Sequence, residues 1–238
     1  MPSRSHRTID RVTQILEFVA GRPEGCTLTE LATELDAPKS SIQGFVNGLV
    51  HTGYLDEHDH RYLLGPAPYM LTLRANRLPA RTVTHEDLVA LNERSGCTVL
   101  LGVRVGQHVV YVDDAGEGMY LQFIARTRAR RPLLETAAGQ VLLAALPEDE
   151  LHRFLQRHPD HAAVERYLEA LPEIRKTGIA VNESSPVPRT SAIGRQVRDR
   201  AGHVVASVTL SGPPDRVLTR TDELGALLRT ATDHWAAR

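Results

Sequence analysis

Three times within the first 66 residues the apolar side chains recur at helical spacing, each run is cut by a Gly or Pro turn, and the pattern then switches to short strands. Ile9, Val12, Leu16 and Val19 stand three or four apart, which predicts an amphipathic helix over Thr8 to Ala20, ended by Gly21-Arg22-Pro23. A second, short helix is expected from about Thr29 to Leu35, with Thr29 as its N-cap and Leu31, Ala32 and Leu35 inward. Asp36-Ala37-Pro38 makes a turn. A third helix starts near Ser40, buries Ile42, Phe45, Val46 and Leu49, and stops near Thr52-Gly53. Tyr54-Leu55 and Tyr62-Leu63-Leu64, around a polar tip from Asp56 to His60, read as two strands closed by Gly65-Pro66. Helix, helix, tight turn, helix and two-stranded wing is the winged helix-turn-helix plan, whose last helix enters the DNA major groove.

On that plan the contact candidates are Lys39, Ser40, Ser41 and Gln43 at the start of the third helix, Asn47 one turn on, and Thr29 in the second helix. Lys and Ser suit phosphates, while Gln and Asn can pair with adenine. The same polar face also fits a protein-interaction module that never meets DNA. Charge does not decide between them. The whole chain has a formal charge of −1, and residues 1–82 hold nine basic against nine acidic side chains. Any attraction to nucleic acid must come from local placement.

With 238 residues, two modest domains are expected. Residues 67–83 read as a linker helix carrying Tyr69, Met70, Leu71 and Leu73, interrupted at Pro79. Residues 84–238 read as one α/β domain. His85 to Ser95 is a helix ended by Gly96, and Thr98 to Val105 and His108 to Val112 are strands joined by Gly106-Gln107. Met119 to Ala125 is expected as a strand, Glu135 to Leu146 as a helix ended by Pro147, and helices continue to about Thr177. Ile179 to Val181, Ser191 to Arg198 and His203 to Ser211 are strands, the last two around Ala201-Gly202, and Thr221 to Trp235 is a closing helix. No apolar run approaches the ~18 residues of a membrane span, and two distant cysteines make no disulfide framework, so a cytoplasmic protein is expected.

In the last strand Ser207, Thr209 and Ser211 share one face and Val204, Ala206, Val208 and Leu210 the other. A polar stripe backed by an apolar one suits a pocket wall, or equally a solvent-facing edge strand. The helix start at Ala137-Ala138-Gly139 would let an anion approach free N–H groups, or serve a close packing contact. Other motifs are weaker. His85-Glu86 begins like a zinc-protease helix, but Val89 stands where the second ligand belongs. His51, His58 and His60 sit in or near the wing and read as solvated rather than as a metal site. Arg126, Arg128, Arg130 and Arg131 form a charge run before Pro132 that reads as a solvated loop, though it borders the expected pocket and could attract an acid. Cys97 opens an apolar strand and reads as core. No catalytic residue, metal ligand or cofactor motif is expected.

Thr27-Leu28-Thr29-Glu30-Leu31-Ala32, Pro38-Lys39-Ser40-Ser41-Ile42, Leu49 and Gly53-Tyr54-Leu55 resemble the DNA-binding domain of IclR-type bacterial transcriptional regulators. Pro132 to Gln140 resembles that family's PLHATAxGK segment, Gly178 to Glu183 its GYAxDxEE segment, and Val197-Arg198-Asp199 with Val208 to Pro213 its C-terminal signature. The resemblance covers nearly the whole chain in order. It implies a winged helix-turn-helix domain over 1–66, a linker helix, and a GAF-like α/β domain over 84–238 that binds a small organic acid. It also implies homodimers, often dimers of dimers, on double-stranded operator DNA. Carried over by position, the effector contacts are Leu134, Ala137, Ala138, Asn182, Ala192, Thr209 and Ser211. Gly44 stands where the family often has Arg, and Leu134, Asn182 and Ala192 replace more polar, acidic or thiol residues. The resemblance therefore implies an effector larger or less polar than the smallest acids, and an unusual operator preference. An enzyme acting on small acids and an adaptor with a degenerate winged domain are the rival readings.

Overall fold

The structure, a computed structural model, describes residues 6–75, 82–117, 119–183 and 189–238. The chain divides into two compact units, Met1–Leu78 and Pro79–Arg238. No helix among the described residues is long and apolar enough to cross a membrane.

The first unit runs α1 (Arg7–Ala20), α2 (Leu28–Glu34), α3 (Lys39–His51), β1 (Leu55–His58), β2 (Arg61–Leu64) and α4 (Ala67–Ala75). Ile15, Val19, Leu31, Ile42, Val46, Leu49, Leu55 and Tyr62 form its core. The stripe of α1 that reaches this core is centred on Ile15. Val12 and Leu16 are half-buried and Ile9 is 63% exposed, because a spacing of three and four identifies a helix without saying which residues a neighbour will cover. Phe45 and Leu35 are likewise half-buried.

The N-cap of α2 is Thr27, not Thr29. The Thr27 hydroxyl accepts the Glu30 N–H at 3.3 Å, and the Glu30 carboxylate accepts the Thr27 N–H at 2.7 Å. Of the two threonines only Thr27 has a glutamate three residues on, as this reciprocal cap requires. The wing strands run further than expected, since Asp59 and His60 alone make the turn, both with positive φ (50° and 59°). Two left-handed residues give the tight turn whose twist matches the flanking strands. Asp56, Glu57 and His58 are therefore strand, although nothing apolar marks them. The expected interruption at Pro79 lies outside the described residues.

The second unit runs α5 (His85–Ser95), β3 (Thr98–Val105), β4 (His108–Ala115), α6 (Met119–Arg126), β5 (Arg130–Pro132), α7 (Ala137–Ala144), α8 (Glu148–Gln156), α9 (His161–Thr177), β6 (Ile179–Asn182), β7 (Ser191–Arg198), β8 (Val204–Gly212), α10 (Pro214–Leu218) and α11 (Thr221–Ala236). Its strands form one antiparallel sheet in the order β5-β4-β3-β8-β7-β6. Leu88, Leu91, Leu224, Leu228 and Trp235 of α5 and α11 cover one face, where Val99, Leu101, Val208 and Leu210 point. On the other face, Leu100, Val109 and Tyr111 pack with side chains of α6, α7, α8 and α9.

Three expectations fail here. Met119 to Ala125 is the helix α6, with Leu121, Ile124 and Ala125 buried at helical spacing; a short apolar run does not separate the two periods. The arginine run before Pro132 is not all loop. Arg130–Pro132 is an edge strand on β4, a position where a proline costs no ladder bond. The helix expected from Glu135 begins only after Thr136, whose hydroxyl accepts the Gly139 N–H at 3.0 Å, and it ends at Ala144. Strand β8 lies between β3 and β7, so Ser207, Thr209 and Ser211 are buried rather than on a solvent-facing edge.

Candidate functional site

In the first unit, Lys39, Ser40 and Ser41 form the exposed opening turn of α3, and Asn47 is exposed one turn further. Gln43 is half-buried, and its Nε2 donates to Asn47 Oδ1 at 2.7 Å. Thr29 is exposed inside α2. Ile42, Val46 and Leu49 hold α3 to the core by its opposite side. Gly44 and Gly48 sit on the open side, where an added Cβ would meet nothing within 4 Å. The outward face of α3 is thus polar, uncharged beyond Lys39, and low in relief.

In the second unit, the sheet register gathers one side chain after another onto the face under α6 and α7. Leu100 pairs with Thr209, Thr209 with Gly194, and Ala192 with both Ser211 and Asn182. Cross-strand partners share a face. Arg131 pairs with Val109, whose side chain is buried on that face. The result is a narrow cavity of about 20 Å³, lined by Leu100, Tyr111, Leu121, Ile124, Arg131, Thr136, Ala137, Asn182, Ala192, Thr209 and Ser211. Its volume is room for about one water.

The polar groups around it are unequally satisfied. Asn182 Nδ2 donates to the Glu135 carbonyl at 2.6 Å, and Ser211 Oγ donates to the Ser191 carbonyl at 3.3 Å. Burial pushes the Tyr111 phenol up to about 12, against the opposing pull of Arg131 and a hydrogen bond with Thr136. Thr209 is 2% exposed, and its hydroxyl has no hydrogen-bond partner among the described residues. A buried polar group left in this state costs about 1–3 kcal/mol, which a bound polar molecule would recover.

Of the candidate effector residues, Ala137, Asn182, Ala192, Thr209 and Ser211 meet at this cavity. Leu134 and Ala138 do not line it. Both are buried in the helical layer, and Leu134 borders a separate open groove with Glu135, Gln140 and Tyr167. The open approach expected at Gly139 is also absent. A Cβ there would lie 2.1 Å from the Leu133 carbonyl oxygen, so the glycine serves close packing of the chain on itself. Residue-by-residue reading had Arg131 only as one member of a charge run bordering the pocket, and missed Tyr111 and Thr136, along with the apolar Leu100, Leu121 and Ile124. The pairing of β5 with β4, which no sequence pattern announces, is what brings Arg131 in.

The other motifs stay apart from this site. His85 Nδ1 meets Asp113 Oδ1 at 3.0 Å on the surface. Among the described residues no group of three His, Cys, Asp or Glu is placed to hold a metal ion. Burial raises the Cys97 thiol, which lies in the core beneath α5.

Two family models match the chain. Residues 8–59 match the IclR helix-turn-helix domain, and residues 73–236 match the bacterial transcriptional regulator IclR C-terminal domain. The chain belongs to the IclR family. Among IclR-family relatives it is 27% identical to the HTH-type transcriptional regulator KdgR of Escherichia coli, over 93% of this chain and 90% of that one. It is 24% identical to the transcriptional repressor IclR of Escherichia coli, over 93% and 86%. The fold also matches the crystal structure of an IclR homolog from Microbacterium hydrocarbonoxydans complexed with 4-hydroxybenzoate, with a TM-score of 0.72 and 19% identity over 96% of this chain and 97% of that one. Like the other members, this IclR-family chain is a DNA-binding transcriptional regulator with a ligand-binding C-terminal domain, not an enzyme.

Proposed function

We propose that this regulator is a cytoplasmic repressor that binds a double-stranded operator as a homodimer and changes its operator affinity when a small organic acid enters the cavity beneath α6 and α7. The single observation that carries the effector reading is the Thr209 hydroxyl, buried at the cavity wall with no hydrogen-bond partner among the described residues. The relative complexed with 4-hydroxybenzoate supports an acid of that general size. The cavity's about 20 Å³ is far below the about 300–1,000 Å³ of small-molecule sites, so uptake has to displace wall side chains. That requirement links binding to a change of conformation, and a ligand that prefers the opened state shifts the population toward it.

On the DNA side, Lys39, Ser40 and Ser41 hold phosphates while Gln43 and Asn47 read base edges, with Thr29 supporting from α2. Homodimerisation is supported by apolar surface on both helices flanking the winged motif. Ile9 is 63% exposed, and in α4 Tyr69 and Leu71 are 64% and 52% exposed, with no α4 residue buried. A two-fold dimer would read a roughly palindromic site. The test is a thermal-shift screen of organic acids on the full chain, followed by gel shifts on DNA upstream of its own gene. A stabilising acid that releases or tightens the DNA complex is expected. A monomer by light scattering with DNA present would contradict the dimer, and DNA retention without any acid response would favour a constitutive binder.

A further inference from the structure

We infer that Arg131 is the carboxylate anchor of this cavity and Thr209 its second polar contact. The effector is then an organic anion with a hydrogen-bonding group at the end away from its charge. This inference rests on the cavity being the effector site.

Four observations lead to it. Among the described residues Arg131 is the one cationic side chain lining the cavity, and no carboxylate among them pairs with it. It is half-buried, so its charge meets less water than on an open surface, and a guanidinium presents two parallel donors to a carboxylate. The rival anchor, the first turn of α7, is partly taken and closely packed. The Thr136 hydroxyl accepts the Gly139 N–H, and a Cβ on Gly194 of β7 would lie 3.0–3.2 Å from the Ala137 carbonyl and the Ala138 nitrogen. At the far side the Thr209 hydroxyl is buried and has no hydrogen-bond partner among the described residues.

The sheet sets the distance between these two groups. Arg131 stands on β5 and Thr209 on β8, three strand spacings apart in the order β5-β4-β3-β8. That is about 14 Å across the sheet, and the register adds an offset along it: Arg131 faces Val109 and through it Arg104, while Thr209 faces Leu100, four residues or about 13 Å away along β3. Both side chains line the one cavity, so a ligand that meets both lies along its length. Leu100, Leu121 and Ile124 line the stretch between, so the ligand's body is apolar. Charge at the β5 edge, an apolar middle and a hydroxyl or carbonyl at β8 define the class.

The experiment is calorimetric titration of the full chain with 4-hydroxybenzoate and 4-hydroxyphenylacetate, each alongside its neutral amide and its analogue without the ring hydroxyl. Loss of a charge-assisted contact predicts that Arg131→Gln weakens the acids by about 10- to 100-fold while changing the amides by no more than about twofold. Arg131→Lys should recover part of the loss, and Thr209→Val should shrink the difference between the hydroxylated and plain acids. Melting curves establish that each variant is folded. If Ser211→Trp or Ala192→Leu blocks acid binding but Arg131→Gln binds as tightly as the parent, the cavity stands and the anchor is wrong. If the parent binds neither acid, or the blocking variants bind as before, the cavity assignment falls and the inference with it.

Discussion

Gln43 Nε2 donates to Asn47 Oδ1 at 2.7 Å, tying together two side chains one turn apart on the exposed side of α3. An amide pair of this kind fixes both planes before any base edge arrives. Gln43→Ala and Asn47→Ala should each relax operator preference at one or two base pairs. The double variant should fall short of the sum, because either truncation already frees the other side chain. Selection of bound sequences from a random library, run on all four proteins, measures this. Strictly additive changes would mean that the pair does not act as a unit on DNA.

Lys39 is the one charged side chain in the opening turn of α3. Lys39→Ala should weaken binding to all sequences alike and reduce the slope of affinity against salt by about one counterion. Titrations at several salt concentrations provide the slope. A change in sequence preference with an unchanged slope would assign Lys39 to base reading instead.

Gly44 and Gly48 have no packing reason to be glycine, since a Cβ at either would meet nothing within 4 Å. Replacing each with alanine should stabilise the winged unit by about 1 kcal/mol, through helix propensity alone. Gly139→Ala is the opposite case, as its Cβ would strike the Leu133 backbone at 2.1–2.5 Å, and it should abolish cooperative folding of the second unit. Urea unfolding curves separate the two. Destabilisation by Gly44→Ala would show that this face of α3 is covered in the assembled protein.

Burial holds the Tyr111 phenol up to about 12. Because the folded value lies above the unfolded one near 10, the associated stability is complete below pH 10 and is lost as pH rises toward 12. Tyr111→Phe should flatten that part of the pH–stability curve. An absorbance titration showing Tyr111 ionised by pH 10 in the folded protein would contradict its enclosure.

How much of this was legible in the sequence depended on whether the signal was local. The α2–turn–α3 segment carries its own markers: an apolar spacing, a proline before Lys39 and a glycine after Thr52. Strands β7 and β8 were legible because their alternation and turn residues all sit within the continuous stretch Ser191 to Gly212. The register then put Ala192, Thr209, Ser211 and Asn182 on one face, as position-matching to the family had implied. The arginine run was legible as bordering the pocket, but that Arg131 is the member that enters it was not, because β5 is three residues long and exists only by pairing with β4. The helix α6 was misread since seven apolar-rich residues fit both periods, and only the layer it packs against decides between them. The cap of α2 could have been read correctly, because Thr27 and Glu30 already have the required spacing.

The most direct test of the account is fluorescence anisotropy of a labelled operator fragment, titrated with the parent protein and with Ser211→Trp, in the presence and absence of the acid that gives the largest thermal shift. Ala192→Leu, its cross-strand partner on the cavity wall, provides a milder block should the tryptophan variant unfold. The account predicts that the acid shifts the parent's operator affinity, and that both blocking variants bind the operator as the parent does but no longer respond. A blocked variant that still responds with the parent's acid affinity, or a parent with no affinity for DNA in any acid, would contradict it.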